Sequence, residues 1–523
     1  MKKFISLVSV RSHRSITIVV VILLLLGISE GCHWEIWTQV NVDGFGDTNN
    51  IDGSFIVFNS YLYAATENYI TGVEIWRSSG GTTWEQVNQD GFGDPNNSWE
   101  FGGEFIIFQN QLYFLVGNDN TGVEVWRTPE GTTWEQVNGD GFGDPNNKAF
   151  PFPIVFNDYL YVSVANEVTG IEIWRTQDGA IWEQVNEDGF GDPNNNGNDS
   201  GFTIFDGHLY IPVNNDVTGV EVWRTLEGTT WEQVNEDGFG DSNNTVEEKI
   251  TFQNYLYVAT VNEETGTEVW RTPNGSTWEQ VNEDGFGDSN NDAIWGARVF
   301  GSYLYFATAN EVTGTEVWRT PDGTTWEQVN QDGFGNSGND EVTDFIIFAN
   351  YLYASTSNGV TGTEVWRTPD GTTWIQVNLN GFGDRNNDDG SFTIFNNLLY
   401  TMTENDATGT EVWLRPCCLC CRPVIDKIGN RRCYPAEKIR IMGAGFSQTQ
   451  GNSLVHIGNK TFDENSPRIK IWGDTLVKIK IPNYKCSWFK GQDYRKRKVW
   501  VTVGGMDTNV KRVKVLAPPE CLP

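Results

Sequence analysis

The stretch "FIIFQNQLYFLVGNDNTGVEVWRTPEGTTWEQVN", Phe105 to Asn138, breaks into four short runs rich in β-branched and aromatic residues: FIIF, LYFLVG, VEVWRT and WEQVN. Turn residues separate them, QN, NDNTG and PEGTT, so the segment predicts a four-stranded antiparallel meander. The unit then repeats along the chain. Its lead tryptophan falls at Trp37, Trp84, Trp134, Trp182, Trp231, Trp278, Trp326 and Trp374, in steps of 47, 50, 48, 49, 47, 48 and 48 residues. A period this steady, inside the roughly 20–50-residue window of repeat architectures, takes precedence over any single motif. No segment carries a convincing helical period.

A lone sheet of this kind leaves two faces and two edges uncovered, and packing eight around an axis covers the faces. The ends of the array point the same way. "EIWTQVN", Glu35 to Asn41, is a fourth strand without the first three, whereas "FTIFNNLLYTMTENDATGTEVWLR", Phe392 to Arg415, has three strands and lacks the fourth. Together they make one unit, while an open solenoid would need capping repeats. The expected fold class is all-β: an eight-bladed β-propeller over residues 33–416, closed by an N-terminal velcro strand, plus a C-terminal immunoglobulin-like β-sandwich.

The 523 residues, 38% hydrophobic and 13% aromatic, have room for a large core and more than one domain. Residues 1–32 read as a signal peptide, with Lys2, Lys3, Arg11 and Arg14 ahead of an apolar run from Ile16 to Ile28 that is short for a bilayer span. "GISEGC" resembles a degenerate bacterial lipobox, which would place a lipid anchor on Cys32. Ser29 and Glu30 depart from that pattern, so plain secretion stays open beside the lipoprotein reading. The net charge of −33 hides two opposite regions: residues 33–421 carry 12 basic against 60 acidic residues, and residues 422–523 carry 20 against 8. The acidic part repels nucleic acid and anionic membrane, and favours cations, basic partners or solubility alone.

"TPDGTTW", Thr320 to Trp326, resembles the Asp-box turn of sialidase-type propellers, one residue shorter than usual. That resemblance implies a structural turn between the third and fourth strands. The residues agree: Asp322-Gly323 suits a tight hairpin and Trp326 suits packing across sheets. Glu316, Trp318 and Arg319 recur as "EVWR" and read as a packing and ion-pair device between blades. The next loop, "VNEDGFGDPNN", is similar to the calcium loops of FG-GAP propellers, with Asn186, Asp188 and Asp192 at ligand positions and Gln184 where that family has Asp. By that resemblance calcium would be held by Asn88, Asp90 and Asp94, by Asn138, Asp140 and Asp144, by Asn186, Asp188 and Asp192, by Asn235, Asp237 and Asp241, and by Asn282, Asp284 and Asp288. Turn chemistry alone selects much the same letters. A second loop, Asn-x-x-Thr-Gly, begins at Asn68, Asn118, Asn166, Asn215, Asn262, Asn310, Asn358 and Asn405, and is expected on the same face.

Between these loops and the next first strand the sequence varies from unit to unit. That variation places Trp99, Lys148, Phe150, His208, Trp295 and Arg298 at a channel-facing rim, where a constant scaffold would carry its ligand selectivity. Trp99 and Trp295 could stack on sugar rings or cover apolar edges. From Pro423 the motifs "PVIDKIG", "IRIMGAGF", "VHIG", "VKIKIP" and "VWVTVGG" resemble an IPT/TIG domain over residues 423–517, after a Cys-rich linker at 417–422 and before a tail at 518–523. Such domains serve as spacers or binding modules. The eight cysteines of an exported chain favour disulfides, Cys433 with Cys486 and Cys521 with the Cys417 to Cys421 cluster, over a zinc site.

The four histidines, His13, His33, His208 and His456, are far apart, which leaves little for a multi-His metal centre or a Ser-His-Asp triad. Sialidase chemistry needs a channel arginine cluster, and only Arg298 and Arg385 stand outside the repeat. The expected function is a secreted or cell-surface, monomeric, non-enzymatic protein that binds a glycan or extracellular protein, with the membrane reached only through Cys32. The alternatives are a propeller hydrolase or lyase using paired carboxylates on polysaccharide, and a calcium-stabilised structural repeat.

Overall fold

Each unit folds as its spacing requires. In the second unit, strands Gly103–Phe108, Gln111–Val116, Glu124–Thr128 and Glu135–Gln136 pair antiparallel in chain order. Ile106 lies opposite Tyr113, Phe114 opposite Trp126, and Trp126 opposite Gln136. The first hairpin turns on Gln109 and Asn110, whose φ of 48° and 60° give the primed turn that matches strand twist. The computed structural model describes residues 37–98, 103–197, 200–415, 424–429, 432–444, 454–463, 466–471, 476–482, 484, 494–503, 506–507 and 510–517.

Over residues 38–415 there are eight such sheets, here numbered I to VIII by their first strands, which begin at Gly53, Gly103, Ala149, Asn195, Thr245, Ala293, Glu341 and Ser391. In IV the first strand is split into Asn195–Gly197 and Thr203–Phe205. Second strands are buried on both faces and mostly apolar, wholly so in Leu112 to Val116, because each sheet is covered on both sides by its neighbours. The cores are shared between sheets. Tyr63, Ala65 and Ile75 of I pack with Leu112, Phe114 and Val116 of II, and Leu62 and Ala64 of I pack with Tyr400, Met402 and Val412 of VIII. Sheets I and VIII thus cover each other, and the arrangement is propeller-like and all-β.

The expected closing strand is present. Thr38 lies opposite Leu414 and Gln39 opposite Trp413, Val40 N–H donates to Val412 O at 2.8 Å, and Asn41 Oδ1 accepts Val412 N–H at 2.7 Å. Trp37, buried, donates Nε1–H to Val377 O at 3.0 Å. One expectation needs correcting. The fourth strand is two ladder residues long, not the five of WEQVN, because beyond Val137 the Asn138 side chain takes the place of the backbone, accepting Val125 N–H and donating to Val123 O, before the chain enters a left-handed turn with Gly141 and Phe142 at φ 54° and 57°.

The carboxy-terminal residues form two sheets. One runs Val424–Gly429, Lys438–Ala444, Leu476–Lys480 and Ile469–Ile471; the other contains Arg432–Cys433, Lys511–Leu516, Tyr494–Val503, Leu454–Ile457 and Lys460–Phe462. Ile425, Ile439, Ile441, Val477 and Ile479 from the first meet Val455, Val499, Val501, Val513 and Val515 from the second in a single core. Cys433 is buried in it, which pushes its thiol up to about 11. Cys32, Cys417 to Cys421, Cys486 and Cys521 lie outside the described residues, and with them the proposed disulfides and lipid anchor.

Candidate functional site

The loop after the fourth strand, Asp140-Gly141-Phe142-Gly143-Asp144-Pro145-Asn146-Asn147, builds the junction between sheets. Gly122, in the loop between the second and third strands of II, approaches so closely that a Cβ there would lie 2.5 Å from Gly141 Cα. The left-handed turn throws the Phe142 ring into sheet III, where it stacks on Trp174 at 4.9 Å and meets the edge of Trp182 at 5.3 Å. Asn147, fully buried, then bridges the two sheets. Its Nδ2 donates to Gly141 O at 2.9 Å and to Glu172 Oε2 at 2.8 Å, and its Oδ1 accepts Asn166 Nδ2 at 2.9 Å. Glu172 Oε2 also accepts Trp174 Nε1–H at 2.8 Å. Burial raises the Glu172 carboxyl above its ordinary range, while the Asn147 and Trp174 donors pull it back.

The same bridge stands at all eight junctions, on Asn50, Asn97, Asn147, Asn195, Asn244, Asn291, Asn339 and Asn387. The two Asn-bearing loops therefore meet on one face, as expected, but the joining residue is the Asn three after the loop Asp or Asn, the second of an "NN" pair everywhere except Gly338-Asn339, and sequence reasoning passed it over. Its only signal is recurrence.

The residues assigned to calcium all take part in holding this loop. Asn138 Oδ1 accepts Val125 N–H at 2.8 Å while its Nδ2 donates to Val123 O at 2.9 Å. Asp140 Oδ1 accepts Gln136 Nε2 at 2.7 Å, which is where the departing Gln side chain points. Asp144 accepts Asn146 N–H on Oδ1 and Asn166 Nδ2 on Oδ2. The sets Asn88/Asp90/Asp94, Asn186/Asp188/Asp192, Asn235/Asp237/Asp241 and Asn282/Asp284/Asp288 repeat these bonds. A cation would have to compete with the loop's own donors. Among the described residues, no group of three or more His, Cys, Asp or Glu side chains could hold a metal ion. The oxygens of the assigned sets are thus already engaged within the loop.

The recurring Arg ties the third strand to the fourth and to the next sheet. Arg127 Nε lies 2.7 Å from Glu135 Oε1, and Arg127 Nη1 donates to Gly179 O, in the next sheet's turn, at 3.1 Å. Glu-Trp-Arg is thus the packing and ion-pair device its uniformity implied.

First strands of successive sheets approach one another most closely, which puts them around the inside of the arrangement. In V, VI and VII the first strand bulges, between Val246 and Glu248, Ile294 and Gly296, and Val342 and Asp344. The extra residue is Glu247, Trp295 or Thr343, so the bulge gives each sheet a different inward feature. Trp295 is 45% exposed. Arg298 lies 3.7 Å from Asp344 and its Nη2 donates to Phe345 O of sheet VII. Lys148 Nζ is 3.8 Å from Asp119 Oδ1. Trp99 lies outside the described residues. His208 is a correction: it opens the second strand at the hairpin opposite Phe205, at the other end of the sheet from the Asn195–Asn215 rim pair, with Nδ1 at 3.0 Å from Asp206 O.

Acidic side chains were not anticipated along this lining. Burial pushes Glu341 and Glu404 up to about 7, with repulsion from Asp389 the next cause for each. Asp389 is itself raised by burial, and Asp52 well raised by burial, Asp389 and Glu404. Glu104 and Glu248 are carried to about 7 by burial. All are half-buried; Asp52, Glu341 and Asp389 share one repeat position in I, VII and VIII, Glu104 and Glu248 share another in II and V, and Glu404 matches Glu67 of I.

No family model and no curated protein matches the chain. Among solved structures it is similar to Saccharomyces cerevisiae Sqt1, with 12% identity and a TM-score of 0.46 over 73% of this chain and 98% of that one. It is similar to a prolyl endopeptidase, with 10% identity and a TM-score of 0.43 over 69% of this chain and 55% of that one, so it spans about half the length of that peptidase. It is also similar to a fungal alcohol oxidase of the AA5 family, in complex with copper, with 10% identity and a TM-score of 0.41 over 92% and 99%. None of these likenesses brings an activity or substrate to this chain.

Proposed function

We propose that the chain is an exported eight-bladed β-propeller joined to an IPT/TIG-type sandwich, and that it works as a non-enzymatic binding protein for a glycan or extracellular protein. The observation that carries this reading is the division of labour among side chains. Polar groups shared by all units are bonded to one another at the junctions, while half-exposed residues that differ between units, Trp295, Arg298 and Lys148 among them, line the rim. A rigid scaffold with a varied, partly apolar and hydrogen-bonding rim suits recognition. A glycan array probed with the exported protein and with its Trp295→Ala and Lys148→Ala variants tests it. The expected result is a specific signal reduced in the variants; no signal on glycans and none on extracellular matrix proteins contradicts it.

The half-buried carboxylates Glu341, Asp389 and Glu404, raised toward neutrality, favour a second reading, a polysaccharide hydrolase or lyase with a carboxylic acid in the channel. Release of reducing ends or unsaturated sugars from a polysaccharide panel, abolished by Glu341→Gln, would decide for it.

A further inference from the structure

Outside the junctions, an open cleft runs between neighbouring sheets. Between II and III its volume is 580 Å³, and it is lined by Arg127, Glu135, Gln136 and Phe142 from one sheet and Trp174 and Trp182 from the next. Equivalent clefts of 480 Å³ and 430 Å³ lie between I and II, with Arg77, Glu85, Trp126 and Trp134, and between IV and V, with Arg224, Glu232, Trp270 and Trp278. These volumes fall in the roughly 300–1,000 Å³ range of small-ligand sites.

The lining combines two chemistries. The tryptophans are half-buried and keep part of the indole at the cleft, held by the Phe that stacks on one and abuts the other. Beside them stands an ordered charge pair. The Arg is fixed by the Glu and by the next sheet's turn carbonyl, and both its bonds to the Glu go to Oε1. The Glu side chain itself is 61% and 63% exposed in sheets I and IV. An aromatic platform takes the C–H face of a ring, while guanidinium, carboxylate and carboxamide offer donors and acceptors at its edge. A neutral pyranose presents that combination; an anionic ligand would meet the strongly acidic surface of this region.

We infer that the inter-sheet clefts are repeated sugar-binding sites, each taking one neutral pyranose of a glycan. This rests on the binding reading above but puts the ligand at the outer clefts, not the rim. The complete set of Arg, Glu and two Trp occurs at six junctions, those following sheets I to VI. At the other two the set is broken: Ile375 stands opposite Arg367 in VII, and Leu414 opposite Thr38 in VIII. Six equal shallow sites on one body suit a polymer or surface that repeats one sugar, where avidity offsets weak single-site affinity.

The test uses the full exported chain and a panel of methyl glycosides of glucose, galactose, mannose, fucose and N-acetylglucosamine, titrated at millimolar concentration with native mass spectrometry and tryptophan fluorescence as readouts. One member is expected to bind with six equivalents. Glu135→Gln should remove one equivalent, and the triple variant Glu85→Gln, Glu135→Gln, Glu183→Gln three, while the melting midpoint falls only by a few degrees, as the loss of solvent-exposed ion pairs requires, and the chain stays folded at the binding temperature. Binding of a glycoside that these variants leave untouched and Trp295→Ala abolishes would overturn the cleft assignment while sustaining the rim reading. Binding of no member would overturn the cleft assignment outright.

Discussion

The junctions between sheets and the lining inside them follow opposite rules. At the junctions the same letters return: a Phe in a left-handed turn, two Trp, an Asn bridging to a Glu, and in six cases an Arg–Glu pair. Along the lining the residues change between groups of sheets: one register position carries Glu104, Glu248 and Asp344 in II, V and VII but Ser54, Gly296 and Ser391 in I, VI and VIII, while Lys249 belongs to V and Trp295 and Arg298 to VI. The junctions satisfy every strong donor and acceptor of the bridge and so hold the sheets in place. The lining gathers carboxylates of VII, VIII and I near the place where the two ends of the array of sheets meet, and there the charges oppose one another. Uniformity marks what holds the sheets together, and variation marks where the molecule tolerates electrostatic cost.

If this contrast is right, the largest losses come from the closing strand. Trp37→Ala removes a buried ring and its bond to Val377 O, and should lower the free energy of unfolding by about 3–5 kcal/mol, read from urea denaturation. Next comes the bridge. Asn147→Ala leaves Glu172 Oε2 with Trp174 as its remaining donor and Asn166 Nδ2 with Asp144 as its remaining acceptor and should cost about 1–3 kcal/mol, and Asn97→Ala much the same. Unequal costs at the two would break the idea of equivalent junctions.

Smaller effects come from pH. Glu341, Glu404, Asp389 and Asp52 bind their protons more tightly in the folded chain than in the unfolded one. Their contribution is therefore fully present below the ordinary carboxylate range and is lost as pH rises through their folded-state values, about 7 for Glu341 and Glu404. Asp322 and Asp370 act in the other direction. Their pKa values are lowered by backbone N–H donors in the turns, so their contribution is lost as pH falls below the ordinary aspartate range. The melting midpoint should pass through a maximum near mildly acidic pH and fall by several degrees toward pH 8, and Glu341→Gln should flatten that fall. The smallest expected effect is that of EDTA: with the loop Asn and Asp side chains engaged by the loop's own donors, the midpoint should not move, whereas a drop on chelation would restore the calcium reading.

Much of this was legible in the sequence because it is periodic or complementary. The four runs per unit, the lone strand at Glu35 to Asn41 that supplies what Phe392 to Arg415 lacks, and the Glu-Trp-Arg device all appear as recurring letters. What escaped was set by geometry that letters do not carry. Asn147 and Asn146 are identical in type, and only a fold that buries one and exposes the other tells them apart. The fourth strand is short because the Asn138 side chain takes over the ladder bonds to Val125 and Val123, and the chain then turns with a Phe at positive φ, neither of which a residue alphabet forecasts. His208 looked like a rim residue because it breaks the repeat, yet it breaks it at the hairpin end. The lining carboxylates were invisible because acids are abundant and their mutual approach depends on closure.

Closure is where the account is most exposed. Native-state hydrogen exchange read by mass spectrometry can follow peptides covering residues 37–42 and 411–415. With Val40 bonded to Val412 and Trp37 buried, the two should be protected to the same extent and open together; free exchange of the first while the second stays protected would contradict a closed array of sheets.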